Sequence, residues 1–64
     1  MTAQAARAAI NAEAAEILAT VTAGGPWATL ARSAEQNVRI ARSNRSAWKA
    51  LQDLKFAVYN ARQA

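Results

Sequence analysis

Ser43-Asn44-Arg45-Ser46 stands between two runs of helix-forming residues, and whether the helix breaks there decides the fold. On its N-terminal side, residues 26–43 place Trp27, Ala31, Ala34, Val38 and Ala41 at steps of three and four. On its C-terminal side, residues 46–63 place Ala47, Leu51, Leu54, Val58 and Ala61 at the same steps. That spacing marks one apolar side of an α-helix. In a single straight helix, at about 100° per residue, the two stripes lie about 140° apart. One neighbour cannot cover both. Ser and Asn compete with the helix for backbone hydrogen bonds and favour caps. The expectation is therefore a break at residues 43–46 and a chain that folds back. The alternative is one continuous helix about 57 Å long, at about 1.5 Å per residue. It would leave Leu51, Leu54 and Val58 on an overhang that needs another subunit to cover it.

Upstream, Gly24-Gly25-Pro26 gathers both glycines and the only proline. Gly supplies the left-handed position that ends a helix, and Pro starts the next one in its first turn. The segment before it repeats Ala3, Ala6, Ile10, Ala14, Ile17 and Val21 at helical spacing, with Leu18 widening the stripe and Thr2 as N-cap. The fold expected is all-α: an alanine-rich helical hairpin extended to three helices at 3–22, 26–43 and 46–63, forming one small helical domain over 1–64.

The chain has 64 residues, of which 53% are apolar. Nineteen of the apolar residues are alanine, which leaves fifteen larger ones. Alanine-lined helices pack closely but bury little area. A core this thin is marginal for one chain, and an oligomeric bundle is the expectation. Cysteine and histidine are absent. That excludes disulfides, Cys/His metal sites and the chemistry of thiolates and imidazoles. No cofactor or small-molecule substrate is expected.

The formal net charge is +4, unevenly placed. Residues 1–31 hold Arg7 against Glu13 and Glu16, while residues 32–64 hold seven basic residues against Glu35 and Asp53. Arg32, Arg39, Arg42 and Lys49 fall within about 100° of one another when the wheel of the second helical segment is continued to residue 49, with Arg45 at the edge, a ridge that could track phosphates. Glu35 and Asp53 interrupt it. If the first two helices pack antiparallel about residues 24–25, Glu16 lies near Arg32 and Glu13 near Arg39, and ordinary surface ion pairs result. Glu13 and Glu16 are three apart, yet the Glu-x-x-His partners of a helical di-metal site are missing. No Gly-rich phosphate loop, nucleophile–base pair or helix-turn-helix pattern occurs.

Trp48 and Tyr59 are eleven residues apart, three helical turns, and face the same way. Trp and Tyr are enriched at interface hot spots. The expected protein interface is therefore Trp48, Leu51, Leu54, Val58 and Tyr59. The longest uncharged stretch, Ile17 to Ala31, contains Gly24, Gly25 and Pro26 and falls short of a membrane span. With no signal-peptide pattern, the expected location is cytoplasmic or assembly-bound. The functional expectation is a non-enzymatic structural or interaction protein, a small helical subunit of a homo-oligomer or larger assembly, with a virion component as one concrete form. The alternative is a nucleic-acid-binding helical dimer that uses Arg39, Arg42, Arg45 and Lys49.

Overall fold

The computed structural model describes residues 2–22 and 24–63. They form three helices, α1 (Ala3–Ala19), α2 (Pro26–Ile40) and α3 (Asn44–Gln63), with no strand among the described residues. The bundle measures 38 × 16 × 14 Å. The closest pairing is between α2 and α3, and α1 lies against both, more against α3.

Each helix boundary has a local cause. The Thr2 hydroxyl accepts a hydrogen bond from the Ala5 N–H at 3.0 Å, an N-cap for α1. The helix ends at Ala19, three residues before the expected limit. The Thr20 N–H and hydroxyl both turn back onto the Ile17 carbonyl, at 3.1 and 2.7 Å. Thr20, Val21 and Thr22 are all β-branched, which lowers the gain from continuing the helix. Gly25 then takes φ 107°, and Pro26 opens α2 in its first turn.

The chain does break between the second and third helices, so the continuous alternative is overturned. The break falls at Ala41–Ser43 rather than at residues 43–46. Ala41 is extended, with φ −60° and ψ 139°. Ser43-Asn44-Arg45-Ser46 is the capped first turn of α3. The Ser43 hydroxyl accepts from the Ser46 N–H at 3.1 Å and donates to the Ser46 hydroxyl at 3.0 Å. The Asn44 amide reaches back to the Ala3 carbonyl at 2.9 Å and ties the start of α3 to the start of α1.

With the chain turned, the two stripes meet. Ala31, Ala34 and Val38 of α2 and Ala47, Leu51, Leu54 and Val58 of α3 belong to one core, closed from the third side by Ala14. Ile10, Ile17, Leu18, Val21, Trp27 and Ala41 pack around it. Most of its members are alanines, and Leu54 and Val38 are the largest fully buried side chains. Each of those two contributes roughly 1.5–3 kcal/mol by leaving water.

Candidate interaction surface

The core closes without most of the large side chains. Leu30, Ile40, Trp48, Phe56 and Tyr59 are 52–66% exposed. On α3, Trp48, Phe56 and Tyr59 lie opposite the buried Leu54, because steps of eight and eleven residues return close to the same side of a helix. The Phe56 ring meets the half-buried Trp27 edge to face, with centroids 5.8 Å apart and planes at 76°. Such a contact adds about 0.5–1.5 kcal/mol beyond area burial.

Two shallow grooves flank α3. One, of about 360 Å³, runs between α2 and α3 and is lined by Trp27, Leu30, Ala34, Asn37, Phe56 and Ala57. The other, of about 350 Å³, runs between α1 and α3 beneath Tyr59, with Ile17 and Val58 in its floor and Lys55 and Arg62 at its rim.

Of the expected interface residues, Leu51, Leu54 and Val58 lie inside the chain's own core, at 2%, 0% and 5% exposure. They offer nothing to a partner while the bundle is folded. α1 and α2 cover that side of α3, the role a second subunit would have taken beside a continuous helix. Trp48 and Tyr59 are on the outside. Leu30, Ile40 and Phe56 were not among the expected interface residues. Ile40 had a readable signal: it is two residues from Val38, hence about 160° round the helix from the apolar stripe. Phe56 carried the same signal, being two residues from both Leu54 and Val58, and Trp27 packs against it from another helix.

The expected basic residues come together round the α2–α3 turn, and two of them are engaged. The Arg39 guanidinium meets Glu35 at 3.2 Å, and Lys49 meets Asp53 at 3.6 Å, both one helical turn apart. Glu35 is the buried charged residue of α2, at 8% exposure. Arg42 and Arg45 are exposed and make no ion pair among the described residues. The expected cross-hairpin pairs do not form. Glu13 meets Lys55 of α3 at 2.9 Å, and Glu16 and Arg32 have no ion-pair partner among the described residues. The reason is the packing: α1 leans chiefly on α3, so its acidic side faces that helix.

Among the described residues, no group of three or more His, Cys, Asp or Glu lies together as a metal site would require. No helix among them is long and apolar enough to cross a membrane. No family model matches this chain, and no curated protein or solved structure matches it significantly.

Proposed function

We propose that this chain is a non-enzymatic interaction protein, a small helical subunit of a homo-oligomer or larger assembly, with a virion component as one concrete form. The observation that supports this reading is the placement of the large apolar side chains. Five of them stay exposed after the core has closed. Three of them, Trp48, Phe56 and Tyr59, share the outer side of α3, and an apolar group of that kind marks a contact site. Aromatic anchors such as Trp48, Phe56 and Tyr59 are the residues on which interface energy concentrates. Native mass by size-exclusion light scattering, at low and at high salt, tests it. A dimer or larger species at both salts supports the reading, because apolar contacts survive screening. A monomer at every concentration and salt opposes self-association.

A second reading is favoured by a different observation. Arg42 and Arg45 have no ion pair among the described residues, and they flank the start of α3 together with Arg39, Lys49 and the exposed Trp48. Such a corner suits nucleic acid: cations for phosphates and a ring on which a base can stack. Fluorescence anisotropy with single-stranded and duplex oligonucleotides tests it. Affinity should fall steeply as salt rises. Binding that survives replacement of all four basic residues by Ala would remove the reading.

A further inference from the structure

We propose that the outer face of α3 binds single-stranded nucleic acid, along a strip that starts at the basic corner and runs to Arg62. The inference rests on the nucleic-acid reading above and gives it a track and a strand type.

The first argument is what α3 leaves outside. Its cations Arg45, Lys49, Lys55 and Arg62 are exposed, and so are its rings, Trp48, Phe56 and Tyr59. These side chains lie within about 140° of one another on the helix. The aliphatic Leu51, Leu54 and Val58 are all inside. The outer face of α3 is therefore built of rings and cations, with no Leu, Ile or Val among them. Every base has a face that stacks on a ring, and every nucleotide a phosphate that a cation can meet.

The second argument is how the two kinds are mixed. On the wheel Arg45 falls between Trp48 and Phe56, so charge sits in the middle of the rings. A helix that lies on a membrane separates an apolar side from a charged one. The centre of a protein interface is depleted of charged residues. A second copy on a two-fold axis would set these cations against their own images. A duplex keeps its bases stacked on one another and offers the rings no base face. A single strand uses rings and cations on one surface. The strip leaves Leu30 and Ile40 of α2 uncovered, so a further subunit still has a place on the bundle.

The third argument is availability and length. Arg45 and Arg62 make no ion pair among the described residues. Lys49 pairs with Asp53 and Lys55 with Glu13, but the two lysine side chains are 79% and 45% exposed. Exposed pairs of this kind are weak, and a phosphate can take the place of the carboxylate. From Arg45 to Arg62 the strip covers about 26 Å at about 1.5 Å per residue, the length of about eight nucleotides at roughly 3.4 Å each. The groove of about 350 Å³ beneath Tyr59, with Lys55 and Arg62 at its rim, gives a base room beside that ring.

The test is fluorescence anisotropy with a labelled single-stranded DNA of about 12 nucleotides, somewhat longer than the strip, and with the same sequence as a duplex. Circular dichroism verifies that each variant is folded. The single strand should bind more tightly than the duplex. Its log affinity should fall against log salt with a slope of about −3, at roughly −0.7 for each of four phosphates. Trp48→Ala and Tyr59→Ala should each weaken binding by about fivefold or more, whereas Tyr59→Phe, which keeps the ring, should not. Lys55→Ala with Arg62→Ala should reduce the salt slope by about half. Binding that is lost in Arg39→Ala with Arg42→Ala, yet indifferent to Tyr59→Ala and to the Lys55, Arg62 pair of changes, would overturn the strip and leave the corner reading standing. A duplex bound as tightly as the single strand would overturn stacking on α3. A protein that binds neither oligonucleotide at low salt would overturn strip and corner together, and binding to phosphatidylserine vesicles in that case would assign the face to an anionic membrane.

Discussion

The Arg7 guanidinium in α1 donates to the Val38 carbonyl in the last turn of α2 at 3.0 Å, across 31 positions of sequence. The same nitrogen also reaches the carbonyls of Arg39, at 3.4 Å, and Ala41. The last carbonyls of a helix have no partner within it, and the negative end of the helix dipole lies there. A cation from α1 thus supplies the ending that no Gly or Pro supplies in the sequence. Arg7 is held in place in turn by Asn11, which accepts from its Nε at 3.4 Å.

Replacing Arg7 should therefore loosen the α2–α3 turn. Arg7→Ala is expected to lower stability by about 1–3 kcal/mol, the scale for hydrogen bonds from a charged donor. Arg7→Lys should recover only part of it, because an ammonium cannot reproduce the planar fork. Urea unfolding of the two variants measures the difference. Equal midpoints for Arg7→Ala and the wild type would mean that the turn closes without this contact.

Leu54 is fully buried among all three helices. Leu54→Ala should cost about 2–5 kcal/mol, a large fraction of the stability of so small a core. Leu54→Asp should abolish cooperative unfolding altogether, seen as lost helicity at 222 nm. A folded, helical Leu54→Asp monomer would show instead that this side chain had been covered by a partner.

The two glycines of the α1–α2 connection should behave differently. Gly25 has φ 107°, where a Cβ is strained, so Gly25→Ala should cost roughly 1–2 kcal/mol. Gly24 has no positive φ and open space where a Cβ would stand. Gly24→Ala should be neutral or stabilise by up to about 1 kcal/mol, by restricting the unfolded chain. Paired thermal melts compare them directly.

Among the described residues, Glu13–Lys55 is the ion pair that joins two helices, and both side chains are nearly half exposed. Glu13→Gln should cost less than about 1 kcal/mol, and the cost should shrink as salt is added. A double-mutant cycle with Lys55→Ala isolates the coupling. A coupling that is large and insensitive to salt would mean that the pair is better shielded than its exposure indicates.

Much of this architecture was legible along the chain. Ala31, Ala34 and Val38, and separately Leu51, Leu54 and Val58, were identifiable as the buried stripes of two helices from their spacing alone, because helical periodicity is a property of neighbouring residues. The Gly25-Pro26 boundary was legible for the same reason. The interface residues were less so. The apolar stripe of α3 carries no mark of whether its own chain or another covers it, and Leu51, Leu54 and Val58 turned out to be covered within the chain.

The sequence by itself determined that the chain is helical, that it turns at Gly25-Pro26, and which side each helical segment buries, since propensity, capping and period act over a few residues. The separation of α2 from α3 was settled only in the folded chain. Tertiary structure decided where α2 stops, which carboxylate meets which cation, and which large side chains stay outside. Those outcomes depend on groups brought together from distant positions: Arg7 with Val38, Glu13 with Lys55, Trp27 with Phe56. The seam formed where α1 leaned on α3, and no local spacing encodes that choice.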